Sequence, residues 1–195
     1  MEITPEIEEK AQKIRKENEG KTICVAVGRH TEYKGFTYLI QASKLLDDKF
    51  KIFITGTGEL TESLKKEAAN DSKITFTGRI EDEELKAYIL ACDIFCFPSI
   101  TKNEAFGVAL AEAMYYGKPA VTFNIPGSGV NYVCLDGITG IEVENRNVVA
   151  YANAIRNVST NKELKVKYGQ AGRKRVMNNF LSSQFCENIK DILLK

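Results

Sequence analysis

The run Ile94-Phe95-Cys96-Phe97-Pro98-Ser99-Ile100-Thr101-Lys102-Asn103-Glu104-Ala105-Phe106-Gly107-Val108-Ala109-Leu110-Ala111-Glu112-Ala113-Met114 decides the fold. Its first four residues are continuously apolar, as in a strand buried on both faces of a sheet. A polar loop follows, and an Ala-rich segment then reads as a helix over Phe106–Tyr116. Two acids bracket the passage: Glu104 just before the helix and Glu112 two turns inside it. In an open parallel sheet, ligands collect at the carboxyl ends of strands, and helix N-termini there bind anions. A strand, a loop with Gly107 at the helix entry and two flanking acids suit a ligand that carries both phosphate and hydroxyl groups.

Working outward, the same alternation recurs. Apolar runs at Ile23–Val27, Lys51–Thr55, Ile74–Thr77, Ala120–Phe123 and, more weakly, Ile141–Val143 join Ile94–Phe97 as strands. Helical patterns lie between them at Phe36–Leu46, Leu60–Ala69 and Glu83–Ala91. This βαβα order predicts an α/β fold, a Rossmann-like doubly wound parallel sheet of about six strands with right-handed crossovers. Beyond it, Val148–Val158, Lys162–Asn179 and Ser182–Leu194 read as consecutive C-terminal helices. Ahead of the first strand, residues 4–19 read as a polar surface or linker helix, with Thr4 as cap, Pro5 at its first position and Gly20 as its stop.

The bulk properties exclude several classes. With 195 residues the chain suits one substantial domain. Net charge is +1, so no overall field draws nucleic acid to the surface. No apolar run approaches a membrane span, and the acidic start Met1-Glu2-Ile3-Thr4-Pro5-Glu6 is no secretory signal. The five cysteines (Cys24, Cys92, Cys96, Cys134 and Cys186) are odd in number and scattered, which fits buried thiols in a reducing compartment. His30 is the sole histidine and has no recognisable nucleophile or acid beside it, so it receives no general-base role.

The other strand ends carry the remaining candidates. Gly28-Arg29-His30-Thr31-Glu32-Tyr33-Lys34-Gly35 places two cations after the first strand. Alone, that loop reads equally as a solvated charged loop and as a phosphate clamp. Gly56-Thr57-Gly58 permits a tight turn and close backbone approach, but lacks a third glycine for a dinucleotide fingerprint. Gly78-Arg79-Ile80 precedes the acidic run Glu81–Glu84, whose carboxylates suit a first helical turn better than a metal. No Asp-x-Asp pair exists to hold a nucleotide-bound divalent cation. Lys162, Lys165, Lys167, Arg173, Lys174 and Arg175 read as a solvated helix face. Cations for phosphate and carboxylates for hydroxyls, all on one edge of the sheet, together suit a nucleotide-sugar.

At these residues the sequence resembles the C-terminal, donor-binding domain of GT-B glycosyltransferases of the retaining family 4 (group 1) kind, over about residues 22–180. The resemblance rests chiefly on Glu104-x7-Glu112, supported in order by Val27-Gly28-Arg29, Tyr33-Lys34-Gly35, Gly56-Thr57-Gly58 and Asp93–Ser99. It implies that Arg29 and Lys34 hold the donor diphosphate and that Glu104 binds hydroxyls of the transferred sugar. It further implies that backbone amides around Phe106, Gly107 and Val108 face sugar and phosphates, and that Glu112 holds the ribose. Gly28, Gly56, Gly58, Arg79 and Ile80 fall on the same donor-binding side, the last two near the base. No metal or other cofactor is implied.

The implied activity is hexosyl transfer from a UDP- or GDP-sugar, in glycan, lipopolysaccharide or capsule synthesis, at the cytoplasmic side of a membrane that carries the acceptor. A sugar-nucleotide epimerase, a glycogen-synthase-like enzyme and a non-catalytic nucleotide-binding domain stay as alternatives. A phospho-receiver does not, because Gly28-Arg29 and Gly78-Arg79 stand where its acids belong. No second βαβ series precedes Thr22. The expectation is therefore a domain cut from a longer enzyme: residues 1–20 an interdomain linker helix, 21–180 the donor-binding domain, and 181–195 a helix packing toward a missing N-terminal, acceptor-binding domain. The loop Pro126-Gly127-Ser128-Gly129-Val130-Asn131-Tyr132 departs from the family's usual Gly-Gly-x-Pro-Glu, and is expected not to touch the donor clamp.

Overall fold

The computed structural model describes residues 3–69 and 71–180. Six strands form one sheet: β1 (Thr22–Val27), β2 (Phe50–Thr55), β3 (Ile74–Gly78), β4 (Ile94–Phe97), β5 (Ala120–Phe123) and β6 (Gly140–Val143). Their order is β3-β2-β1-β4-β5-β6, and every neighbouring pair is parallel. β1, β4 and β5 are the near-continuous apolar runs, and their interior residues are buried on both faces. The edge strand β3 is only half-buried along its length. From β1 the chain builds outward to β3, then jumps back to β4 and builds the other way. The crevice between the carboxyl ends of β1 and β4 is therefore the topological switch point.

The helices are α1 (Pro5–Glu17), α2 (Phe36–Ser43), α3 (Thr61–Glu67), α4 (Asp82–Ala91), α5 (Val108–Tyr115), α6 (Val130–Val133), α7 (Val148–Thr160) and α8 (Lys162–Asn179). α2 packs with α3 and α7, while α1 packs on α4 and α8 on α5. Tyr151 of α7 is fully buried and donates its hydroxyl to Val121 O of β5 at 2.8 Å, which ties that helix to the sheet centre. None of the described helices is long and apolar enough to cross a membrane.

Several expected boundaries shift for local reasons. α5 begins at Val108 rather than Phe106, because Gly107 has φ 86 and cannot be a helical residue. α1 stops at Glu17, where the Asn18 amide turns back to donate to Ile14 O at 2.8 Å. α6 was not expected at all and sits in the loop that departs from the family pattern. The expected helix at Ser182–Leu194 and Cys186 lie outside the described residues. Cys24, Cys92, Cys96 and Cys134 are buried free thiols.

α1 is a polar helix with one small apolar contact. Ile7 and Ala11 are buried against Ala87 and Ala91 of α4. Its C-terminal end is fixed by Arg15, which donates two hydrogen bonds to Asp93 at 2.9 and 3.1 Å. The same carboxylate accepts from Ile23 N at 2.9 Å and from Lys165 of α8 at 2.9 Å. One half-buried acid before β4 thus joins α1, β1 and α8, and Lys165 leaves the solvated basic face expected of that helix.

Candidate functional site

The loops after β1 and β4 flank the switch point, and each contributes one charged side chain to it. The β1 loop closes in a single 3-10 turn, Glu32–Lys34, ended by Gly35 with φ 65. The Lys34 stem then runs back over Gly28, where a Cβ would lie 3.2 Å from Lys34 Cε. Gly28 thus makes room for the lysine rather than for a turn. The Lys34 ammonium donates to Glu104 Oε2, and Ser99 Oγ donates to the same oxygen at 3.1 Å. The ammonium also stands 5.1 Å from the Phe97 ring centroid and 5.4 Å from that of Tyr33. The pair is nearly enclosed, with the two side chains 13% and 11% exposed. The structure brings Lys34 and Glu104 together as a pair, while Arg29 makes no ion pair with Glu104 among the described residues.

The Glu104 backbone is held by the loop after β5. Ser128 Oγ donates to Glu104 O at 2.5 Å, and Gly129 N donates to Ala105 O at 3.1 Å. Asn131 locks that loop in turn, accepting from Ile125 N at 2.7 Å and donating to Phe123 O at 3.0 Å. The Pro126–Tyr132 loop therefore holds the backbone of the segment that carries Glu104, and among the described residues no hydrogen bond joins it to Arg29 or Lys34. Nothing in the spacing signals this, because Ser128 lies 24 residues from Glu104 and meets it only once β4 and β5 pair.

α5 starts beside this pair. Gly107 is its N-cap and offers no side-chain acceptor, so the first amides of α5 are left for water or an anion. Phe106 and Val108 are exposed on either side of it. Glu112 lies one turn further along, away from Glu104. It lines a small pocket of about 100 Å³ between α4 and α5, with Asp82, Leu85, Lys86, Ile89 and Tyr116. Burial pushes the Glu112 carboxyl above the usual carboxylate range, Asp82 adds to this, and Lys86 opposes it. Among the described residues Glu112 has no ion pair.

The remaining predicted residues spread along the same edge. Arg29 and Arg79 are exposed, and Ile80 is half-buried. Gly56 and Gly58 make the expected close approach, but to the neighbouring loop. A Cβ on Gly56 would stand 2.1 Å from Gly28 O, and one on Gly58 would stand 2.5 Å from His30 O. His30 is fully buried, edge-on to Phe36 and Phe76, with Nδ1 3.0 Å from Thr61 Oγ1. Burial lowers its pKa, so it is a neutral core histidine that fixes the β1 loop. Among the described residues no three His, Cys, Asp or Glu side chains gather as metal ligands.

The chain is 26% identical over 174 residues to O-antigen chain mannosyltransferase C of Escherichia coli, covering 88% of this chain and 46% of that protein. It is 33% identical over 143 residues to the D-rhamnosyltransferase WbpZ of Pseudomonas aeruginosa, covering 72% and 37%. The chain thus spans less than half the length of these relatives. In fold it is similar to Anabaena Alr3699/HepE, solved in complex with UDP and glucose, with a TM-score of 0.85 over 98% of this chain and 53% of that one, at 17% identity. Residues 7–175 match the family described as glycosyl transferases group 1. With that match across most of its length, and with the Rossmann-like sheet expected of one half of a GT-B fold, the chain belongs to the glycosyl transferases group 1 family.

Proposed function

We propose that this chain is the donor-holding part of a group 1 glycosyltransferase, which binds a UDP- or GDP-linked hexose at the β1/β4 switch point for transfer to an acceptor. The observation that carries this is the enclosed Lys34–Glu104 pair beside the uncapped start of α5. Lys34 spends one of its three N–H groups on Glu104, and Glu104 Oε1 accepts no hydrogen bond among the described residues. The pair therefore still offers donors toward a phosphate and an acceptor toward a sugar hydroxyl. Lys34, Arg29 and the α5 amides near Phe106, Gly107 and Val108 stabilise charge as the diphosphate leaves, the term that usually dominates such transfers. Glu104 holds and orients the hexose, and Glu112 accepts from the ribose. Arg79 and Ile80 border the base, and Gly28, Gly56 and Gly58 keep the loops beneath the donor closely packed.

In this reading a further, N-terminal domain of a longer enzyme holds most of the acceptor, and residues 1–20 link to that domain. The transfer retains configuration and needs no metal. The named relatives act on mannosyl and rhamnosyl units and favour cell-surface polysaccharide as the product, made on the cytoplasmic face of a membrane. Calorimetric titration with UDP and GDP tests the reading: one of them binds weakly, with little transfer by the chain alone. Absence of heat with both, from demonstrably folded protein, contradicts it. Lys34→Ala should weaken the diphosphate far more than the free nucleoside, and equal losses would remove Lys34 from the phosphate.

A further inference from the structure

A second recess opens on the same edge of the sheet, on the α2 side of Lys34. Its cavity of about 390 Å³ is lined by Glu32, Tyr33, Glu59, Thr101, Asn103 and Arg146 among others. It continues into a second cavity of about 240 Å³, with apolar walls at Leu60 and Leu64, through the shared residues Thr31, Glu32, Ile100 and Arg146. Together they make a groove of the size of small-molecule sites. Tyr33 is the boundary with the donor site, since it lines the groove and its ring also meets the Lys34 ammonium.

Arg146 is the feature that asks for a reason. It occupies the third position of the turn Glu144–Asn147, closed by Asn147 N donating to Glu144 O at 3.1 Å. Its φ is 64, the one described non-glycine residue with a left-handed backbone. Such a position favours glycine or asparagine, and an arginine there stores strain of the kind that gathers at functional sites. The turn is anchored across the groove floor by Asn145 Nδ2, which donates to Ile100 O at 3.0 Å. Among the described residues the Arg146 guanidinium forms no ion pair, although Glu32 and Glu59 line the same recess.

The lining chemistry narrows the ligand. One guanidinium against two carboxylates disfavours a phosphate, which would meet two like charges. Carboxylate acceptors, guanidinium and amide donors, a threonine hydroxyl and one aromatic ring together match an uncharged polyol with an apolar face. In the shared wall Thr31 Oγ1 is also buried without a partner among the described residues, a hydrogen-bonding need left open. We propose that this groove binds a neutral saccharide unit of the acceptor and, through Arg146, helps select it. The proposal rests on the donor reading above, because it places the acceptor saccharide one tyrosine away from the diphosphate clamp.

Saturation-transfer NMR on the full chain, with the methyl glycosides of mannose, glucose, galactose and rhamnose and with maltose, reads the groove directly. At least one probe should receive saturation. Arg146→Gly relieves the left-handed backbone, so it should fold at least as well as the wild type. It should nonetheless weaken glycoside binding, read by titrating the transfer signal, by about tenfold or more, the loss expected for a charge-assisted hydrogen bond. Glu32→Gln should act in the same direction, and both variants should keep the wild-type affinity for UDP or GDP. Nucleotide binding with no glycoside binding overturns the groove and leaves the donor reading standing. Glycoside binding unchanged in Arg146→Gly also overturns it, as does displacement of the glycoside by inorganic phosphate. Arg146-dependent glycoside binding without nucleotide binding supports the groove and overturns the donor reading.

Discussion

Glu104 and Glu112 sit on one loop-helix segment and were expected to share one ligand, yet the protein treats them in opposite ways. Glu104 is 8% exposed and its charge is met inside the protein by Lys34 and Ser99. Glu112 is half-buried and opens on a pocket, with no ion pair among the described residues and with burial and Asp82 raising its pKa. Enclosure stabilises a carboxylate only when a partner is enclosed with it. The contrast teaches that the two acids differ in what a ligand must bring. A ligand at Glu104 meets a charge already balanced and held rigid. A ligand at Glu112 meets an unmet acceptor, whose burial is compensated once hydroxyl donors reach it.

The sharpest way to break the contrast is to strand Glu104. Lys34→Ala leaves its carboxylate enclosed and unpaired, which costs about 3–5 kcal/mol in comparable pairs. Urea unfolding of the variant should show that loss in its midpoint. Lys34→Met combined with Glu104→Leu should recover most of the stability while binding no diphosphate, because both charges leave together. A loss in Lys34→Ala below about 1 kcal/mol would place the pair with solvent-screened surface contacts instead.

Asp93 extends the comparison to an acid remote from the site. Burial raises its pKa, but hydrogen bonds from Arg15, Ile23 N and Lys165 outweigh this and hold the carboxyl below its usual range. A depressed folded pKa contributes stability that is present above the unfolded value and lost as pH falls through the folded one. Asp93→Asn should therefore cost about 1.5–3 kcal/mol near pH 7, the range for hydrogen bonds to a charged group. The gap from wild type should shrink once pH drops below about 4, where an unfolded aspartate protonates. A gap that stays constant with pH would mean that Asn keeps the geometry and that charge contributes nothing.

What could be read from the chain before its structure follows from the range of the interactions. The buried strands were visible because a strand covered on both faces must be apolar throughout, as Ile94–Phe97 and Ala120–Phe123 are. The acids of the site were visible because they lie on one continuous segment. The Lys34–Glu104 pair spans 70 residues and exists only because β1 and β4 are neighbours, a fact of topology that no local pattern carries. The clamp on Glu104 from Ser128 needs β4 to pair with β5, and the groove at Arg146 needs the turn after β6 to reach Ile100. Gly107 was legible as the helix entry, but the start was set two residues early because Phe106 before it continues the apolar pattern of the helix. α1 shows in the sequence only a thin apolar stripe of Ile3, Ile7, Ala11 and Ile14, which suffices because its contact with α4 needs little more than Ile7 and Ala11.

The smallest effect, and the one that separates the two acids most cleanly, belongs to Glu112→Gln. The folded protein raises the pKa of Glu112, so the native state holds its proton more tightly than the unfolded chain does. The wild type should then gain stability as pH falls from neutral through that raised value, and the carboxylate should cost stability above it. Glutamine removes the cost and keeps the shape, so Glu112→Gln should be at least as stable as the wild type at pH 7, with a flatter pH dependence. Ligand binding should move the other way. A carboxylate accepts from two adjacent ribose hydroxyls, whereas an amide offers one acceptor oxygen and two donors. The preference for UDP over 2′-deoxy-UDP (or for GDP over its deoxy form) should therefore collapse in the variant. In the wild type that preference should weaken as pH falls and Glu112 takes up its proton. Thermal unfolding and calorimetry on the same samples measure both sides. A Glu112→Gln variant that is less stable, and that still prefers the ribonucleotide, would make Glu112 a packing residue of the α4–α5 contact and leave Glu104 as the only ligand-facing acid of the pair.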